Sequence, residues 1–521
     1  MLLKSLLLVL FFAVMIGVGI RCRKSASSVQ GFVLGSRNVG SWLTAFAFGT
    51  SYFSAVIFVG YAGQFGWRYG LASTWIGIGN ALIGSLLAWR LLGRRTRLMT
   101  QHLGSATMPD FFGRRFSSSA LKTAASVIVF IFLIPYTASL YNGLSRLFGM
   151  AFNIDYIWCV VGMAVLTGIY VLVGGYMATA VNDFIQGLIM LVGICAVIVS
   201  VLNGNGGFTA AVEKLSSIPA ETAPGLNGAF TSFFGPQPVF LLGVVLLTSL
   251  GTWGLPQMVG KFYAIRDEAA IRKGTFISTF FAIIVAGGCY FLGGFGRLYG
   301  DVIERTAAGT PIYDSIIPSM LSTLPDLMIG VVIILVLSAS MSTLSSLVLT
   351  SGSTFTLDII APLRKNKMSE KGQLRWIRLL VVFFIAVSSV LAIIQAKSSV
   401  TFIAQLMGIS WGALAGAFLA PFLYGLYWKK ITPAAVWVSF ACGVLIMCGC
   451  MFCTFTGKVF INPYFTSPIN AGVLAMVAGL VIVPIVSLCT KVHNSEDVES
   501  MFDCYSHKVT VMATDALAEK E

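Results

Sequence analysis

Long runs of apolar residues, separated by short polar segments, repeat along almost the whole chain. Each run is near the ~20 residues that an α-helix needs to cross the ~30 Å hydrocarbon core of a bilayer. The pattern predicts an all-α membrane protein with about thirteen transmembrane helices. We place them at residues 3–20, 41–63, 71–92, 120–147, 156–175, 181–203, 237–257, 274–296, 326–355, 376–396, 400–426, 434–455 and 468–490.

These runs define one transmembrane domain over residues 1–490, and a short cytoplasmic tail follows over 491–521. The composition agrees, since 57% of the residues are hydrophobic and only 10% are charged. Soluble domains carry about 25% charged residues. Lipid must therefore solvate most of the apolar surface.

The net charge of +14 could indicate nucleic-acid binding in a soluble protein. Here the basic residues gather in alternate short loops, which is the pattern that sets orientation in a membrane. The positive-inside rule predicts a multi-pass protein of the cell (inner) membrane, with the N-terminus outside and the C-terminus in the cytoplasm. We expect no nucleic-acid partner.

The first apolar run could instead be a cleaved signal peptide. It ends in the basic residues Arg21, Arg23 and Lys24, without the small-residue cleavage site that such a peptide needs. A retained first helix is therefore the preferred interpretation.

Almost all acidic residues lie in predicted loops or in the tail, and Asp183 is the exception, at the start of the sixth predicted helix. A carboxylate at membrane depth is costly and indicates a functional site. The alternative is an acid at the cytoplasmic interface.

The ninth predicted helix is rich in hydroxyl groups, with Ser342, Thr343, Ser345 and Ser346 on one side by helical spacing. Hydroxyl oxygens suit a hard cation such as sodium. The alternative is close helix packing, with each hydroxyl bonded to the preceding turn.

Two apolar helices are interrupted near their middle, the second at Gly49–Ser54 and the seventh at Gly251–Pro256. Matching broken helices in two halves of a chain point to a transporter site, because unwinding exposes carbonyl oxygens. A kink without a ligand is the alternative.

Four ordered segments resemble motifs of the sodium:solute symporter family, and the likeness runs from about residue 30 to 430. The segments are Phe32–Arg37, Pro109–Phe116, Asn182–Gly187 and Met341–Ser345. The resemblance implies a LeuT-like core of five plus five inverted-repeat helices, here helices two to eleven at about residues 41–426.

The resemblance also implies a first sodium site between the second and ninth helices. Its ligands would be the carbonyl oxygens of Thr50, Phe53 and Ala339 and the hydroxyls of Ser342 and Thr343. Some members hold a second sodium, and the pattern for it is matched by Asp183, Ser342, Ser345 and Ser346.

Candidate solute-binding residues, by the same resemblance, are Tyr52, Ser54, Tyr136, Trp253 and Gln405. Each of them could instead serve packing. The chain departs from proline transporters, which carry an acid at the position of Tyr52 and aromatics at those of Thr248 and Thr252. Its sixth- and seventh-helix motifs look closer to those of pantothenate transporters.

We therefore expect sodium-coupled uptake of a small solute that bears a carboxylate, such as pantothenate, an amino acid or another organic acid. The alternatives are a proton-coupled symporter in which Asp183 carries the proton, a facilitative carrier, or a membrane sensor. An enzyme is not expected, because the three histidines lie in loops or the tail and the sequence offers no nucleophile–base pair. The expected partners are the solute and the bilayer; a monomer is assumed to function, and the oligomeric state stays open.

Overall fold

The computed structural model describes residues 2–152, 154–364, 368–396, 403–491 and 495–506. The first residues of the predicted eleventh helix, 400–402, and most of the tail lie outside these ranges. Throughout the described ranges the chain is helical or irregular, with two isolated backbone bridges and no strand.

The first half of the chain forms ten α-helices. They are α1 (Leu2–Cys22), α2 (Val29–Leu34), α3 (Ser41–Tyr52), α4 (Ala62–Tyr69), α5 (Thr74–Gly79), α6 (Arg94–His102), α7 (Met108–Arg115), α8 (Ser119–Phe152), α9 (Tyr156–Gly204) and α10 (Phe208–Ser216). π-Helical turns connect several of them, at Val56–Tyr61, Asn80–Leu87 and Trp89–Gly93.

The second half forms twelve more. They are α11 (Pro238–Leu250), α12 (Pro256–Ala264), α13 (Glu268–Ala282), α14 (Gly288–Gly293), α15 (Tyr313–Ser322), α16 (Asp326–Phe355), α17 (Ala361–Leu363), α18 (Glu370–Ala396), α19 (Ile403–Tyr427), α20 (Pro433–Thr456), α21 (Pro468–Cys489) and α22 (Ser495–Phe502). Proline opens four of these helices, where its missing N–H group costs no hydrogen bond.

Among the described residues, nine helical segments are long and apolar enough to cross a membrane, or ten if the bent pair Pro238–Gly254 and Pro256–Ala264 counts as one more. A shorter apolar helix, Leu6–Cys22, precedes them. Two of the nine, Val56–His102 and Tyr156–Gly204, contain 47 and 49 residues. These exceed the ~25 residues of a long single crossing. The number thirteen stays a prediction.

Each of these two long segments is divided by a glycine with positive φ. Gly70 has a φ of +61° and Gly175 a φ of +56°, a region that residues with a Cβ rarely adopt. A Cβ at Gly70 would also lie 2.1 Å from the carbonyl oxygen of Phe230. The chain therefore changes direction inside both segments.

The polar chemistry lies where the broken α3 meets α9 and α16 at the centre of the molecule. Helix α16 is enclosed, with 72% of its most apolar stretch buried by protein, against 33% for α20 and α21. The hydroxyl-rich face of α16 is therefore turned to other helices and away from lipid.

Candidate functional site

Helix α3 stops in the middle of its predicted span. Phe53 is extended, with φ −81° and ψ 117°, and the chain becomes helical again only from Ala55. The last carbonyl groups of a helix have no partner in the helix itself. The break therefore frees the carbonyl oxygens of Thr50 and Phe53 inside the protein.

Two hydroxyl groups of α16 meet these carbonyls. Ser342 Oγ donates to the carbonyl oxygen of Thr50 at 3.1 Å, and Thr343 Oγ1 lies 3.2 Å from the same oxygen. Thr343 Oγ1 is also 3.5 Å from the carbonyl oxygen of Phe53. Both hydroxyls contact the carbonyl oxygen of Ala339, at 3.0 and 3.1 Å.

The five residues predicted for the first sodium are thus brought together, all of them buried. We call this group the oxygen cluster: the carbonyls of Thr50, Phe53 and Ala339 with the hydroxyls of Ser342 and Thr343. It carries no formal charge, and its oxygens are the ligands that hard cations prefer. Its chemistry fits a sodium ion held at unwound backbone.

A charged group lies beside it. Asp183 is fully buried on α9, and one of its carboxylate oxygens is 3.6 Å from Nζ of Lys261 on α12. The ammonium of Lys261 also donates to Ser346 Oγ at 2.9 Å, and that oxygen is 2.9 Å from Ser51 Oγ. We call Asp183, Lys261, Ser346 and Ser51 the charged cluster.

The side chain of Asp183 is fully enclosed by protein, so its carboxylate faces Lys261 and not solvent. Ser345, the remaining residue predicted for the second sodium, donates to the carbonyl oxygen of Ser342 at 2.9 Å. Sequence reasoning missed Lys261, because the predicted seventh helix ends at residue 257 and leaves it outside. The signal was present: Pro256 can begin a new helix, and Lys261 falls inside it.

A second acid, Asp358, is also buried and paired with a lysine. Asp358 is buried just beyond α16, 3.2 Å from Nζ of Lys122, which is 2.7 Å from Asp110. The predicted ninth helix ended too early to include it. The π-helical turn Thr356–Ile360 extends the helix and carries Asp358 inward.

Near the break, aromatic side chains of three helices meet. The ring centroids of Tyr52 and Tyr136 lie 5.7 and 6.0 Å from that of Trp411 on α19. The Ser54 and Tyr136 hydroxyls and the Trp411 indole N–H are buried, and the Tyr136 hydroxyl faces the other two groups without a well-aligned hydrogen bond to either. Buried polar atoms are normally paired, so these three weakly paired groups offer hydrogen bonds to a ligand.

The predicted solute residues divide accordingly. Ser54 and Tyr136 belong to this group, and Tyr52 borders it while its hydroxyl accepts a hydrogen bond from Asn80. Trp253 does not belong, since its indole N–H donates to the carbonyl oxygen of Ile83 at 3.0 Å. Gln405 is half-buried near the start of α19.

The sequence did not predict a role for Trp411 or Asn80. Trp411 lies in an apolar run that reads as an ordinary buried helix. Its value as a donor comes only from the neighbours that the fold supplies, and no local pattern shows these.

Comparison with known proteins gives this geometry a context. Residues 32–443 match the sodium:solute symporter family. The chain belongs to the sodium:solute symporter family. It is therefore a multi-pass membrane transporter whose coupling ion is sodium, and the all-helical LeuT-like architecture expected from the motifs is confirmed.

Individual relatives agree with this assignment. The chain is 30% identical over 488 residues to the osmoregulated proline transporter OpuE of Bacillus subtilis, covering 92% of this chain and 94% of that protein. It is 28% identical over 453 residues to sodium/proline symporter 2 of Staphylococcus saprophyticus, covering 85% and 84%.

Among solved structures, the outward-open, substrate-bound state of a sodium-coupled sialic acid symporter superimposes with a TM-score of 0.76. The match covers 94% of this chain and 97% of that one, at 16% sequence identity. It shows the shared fold alone.

Proposed function

We propose that this protein couples sodium at the oxygen cluster to the uptake of a small solute bearing a carboxylate, with proline as the first candidate. The observation that carries the proposal is the contact of the Ser342 and Thr343 hydroxyls with the Thr50 carbonyl, at 3.1 and 3.2 Å. This contact ties the broken α3 to α16 at the place where the chain has freed its backbone oxygens.

Sodium, as the driving ion, brings a positive charge to five neutral oxygens of two helices. Without the ion, each of the two hydroxyls donates one hydrogen bond to a carbonyl among those of Thr50, Phe53 and Ala339, and these bonds hold the cluster together. With it, rotation of each hydroxyl turns an oxygen lone pair towards the cluster. The separation between α3 and α16 is therefore sensitive to the ion, and α3 continues directly into the solute residues.

The solute site offers donors. The hydroxyls of Ser54 and Tyr136 and the indole N–H of Trp411 can each donate one hydrogen bond, and a carboxylate accepts several. The rings of Tyr52, Tyr136 and Trp411 suit a small apolar body beside that carboxylate. A solute that joins these two features fits the three weakly paired groups.

Proline is the first candidate because two relatives over most of the chain are proline transporters by name. Proline transporters carry an acid at the position of Tyr52. In this chain, hydroxyl oxygens would instead accept hydrogen bonds from the amino group of the solute. The motif likeness to pantothenate transporters finds no counterpart among the relatives named above. Pantothenate therefore becomes a comparison solute.

The entry of one sodium ion down the membrane potential releases enough free energy to concentrate the solute. One positive charge moving through 100 mV releases about 2.3 kcal/mol. At ~1.4 kcal/mol per tenfold change, this supports roughly a 50-fold solute gradient.

We also propose, from the basic loops, that the N-terminus lies outside and the C-terminus in the cytoplasm.

The test is uptake into proteoliposomes of labelled proline, other amino acids, pantothenate, sialic acid and monocarboxylates. Each solute is measured with inward sodium and again with potassium in its place. We expect uptake of one carboxylate-bearing solute only with sodium. Uptake that ignores sodium and follows a pH gradient would overturn the proposal in favour of proton coupling.

A further inference from the structure

Lys261 places a positive charge where the family resemblance expects a second sodium ion. Its ammonium lies 3.6 Å from the carboxylate of Asp183 and 2.9 Å from Ser346 Oγ. The side chains of Lys261 and Asp183 are 4% and 0% exposed. Asp183 and Ser346 are two of the residues that the resemblance assigns to that second ion.

A second sodium does not fit these residues as they stand. Any ion ligated by Ser346 Oγ and the Asp183 carboxylate would have to share both with an ammonium only a few ångströms away. The charges would not balance either, because Asp183 and Lys261 already neutralise each other. An additional cation would leave an uncompensated charge inside the membrane, next to the oxygen cluster.

We infer that Lys261 is the resident cation of the charged cluster, so that the protein binds one sodium ion per transport cycle. This inference rests on the proposed function and deepens it, because it fixes how many ions the cycle uses. The covalently attached positive charge of Lys261 would take the place of the second sodium ion that some family members hold.

The hydrogen bonds around Lys261 show how its charge reaches the first site. Ser346 Oγ contacts Ser51 Oγ at 2.9 Å, and Ser51 follows Thr50 in α3. Ser345, on the next turn of α16, donates to the carbonyl oxygen of Ser342 at 2.9 Å. The charged cluster therefore joins α3, α9, α12 and α16 through Lys261 and Ser346.

Beside Lys261 is a cavity of about 50 Å³, which also touches Tyr176, Ser346 and the segment before α7. A cavity of this volume can hold water or a small cation. Truncating Lys261 would join the cavity to the carboxylate of Asp183. Removing the lysine should therefore create the second ion site that the wild-type protein lacks.

The test counts bound sodium. Radioactive sodium is titrated onto purified protein of known concentration, with no solute present. Sodium-dependent uptake of the transported solute is then measured for its Hill coefficient, which cannot exceed the number of coupled sites. We expect a single ion per wild-type chain and a Hill coefficient of about 1.

Three variants sharpen the count. Lys261→Ala should bind a second ion and raise the Hill coefficient towards about 2. Lys261→Arg keeps the charge, and Lys261→Ala with Asp183→Asn removes the carboxylate; both should stay at one ion. Lys122→Ala is the matched control, since it removes another lysine that is paired with buried carboxylates and should leave the count unchanged.

The wild-type count is informative even if a variant fails to fold. Two ions per wild-type chain would overturn the inference and leave sodium coupling intact. No second ion in folded Lys261→Ala would also overturn it. A count of zero in the wild type would remove the proposed sodium coupling and the inference with it.

Discussion

Two polar clusters lie side by side along α16, and they differ in charge. The oxygen cluster is neutral and consists of backbone carbonyls and hydroxyls. The charged cluster holds a buried carboxylate and its own ammonium. Neutral oxygens leave room for a mobile cation, whereas the Asp183 carboxylate already has the ammonium of Lys261 beside it. Neighbouring sites built from similar serines can therefore differ in whether they need an ion from solution.

Breaking the charged cluster should have the largest effect. Asp183→Asn leaves the Lys261 ammonium buried without its carboxylate, and we expect a loss of about 3–5 kcal/mol of stability. Adding Lys261→Met should restore most of that loss, because the pair is then replaced by neutral groups. Thermal unfolding in detergent compares the single and double variants; equal stability of the two would contradict the pairing.

Weakening the oxygen cluster should change sodium affinity more than stability. Ser342→Ala or Thr343→Ala removes one ligand oxygen, worth about 1.5 kcal/mol. The half-saturating sodium concentration should rise about tenfold. Ser340→Ala is the matched control, because within the described part of the chain that hydroxyl bonds only to the Val336 carbonyl of its own helix. Normal sodium dependence in both site variants would refute the cluster as the sodium site.

The solute site should respond in the solute and not in sodium. Trp411→Phe and Tyr136→Phe each remove one donor and keep the ring, so KM for the solute should rise about fivefold, near 1 kcal/mol. The sodium requirement should stay as in the wild type. Trp253→Phe serves as the comparison, since its N–H is used by the Ile83 carbonyl. A larger KM effect from Trp253 would move the solute site to the bent helix.

Asp267, a carboxylate near the surface, is the comparison for the buried carboxylate of Asp183. The backbone N–H of Ala270 donates to Asp267 at 2.7 Å, and this bond, helped by Arg266, lowers the pKa of that carboxyl below its usual range. Its contribution is therefore present at neutral pH and is lost as the pH falls through the lowered pKa. Asp267→Ala should cost about 1 kcal/mol at neutral pH. The deficit should vanish in acid; a deficit independent of pH would contradict the cap.

Much of the site could be predicted because its causes are local. Gly49 and Pro256 favour helix breaks whatever surrounds them. The spacing of the hydroxyl residues on α16 places them on a common face. Pro256 signals the helix that contains Lys261, but the burial of Lys261 depends on how that bent helix packs against the rest of the protein. Trp411 and Asp358 depend on neighbours from distant segments, which no local pattern records.

The most direct test of the central claim is uphill transport. Proteoliposomes are prepared with equal concentrations of the solute on both sides, and an inward sodium gradient is then imposed. We expect net solute accumulation whose initial rate falls several-fold with Ser342→Ala, at a sodium concentration near half-saturation of the wild type, and is unchanged with Ser340→Ala. Equal concentrations that stay equal under the sodium gradient would contradict sodium coupling at the oxygen cluster.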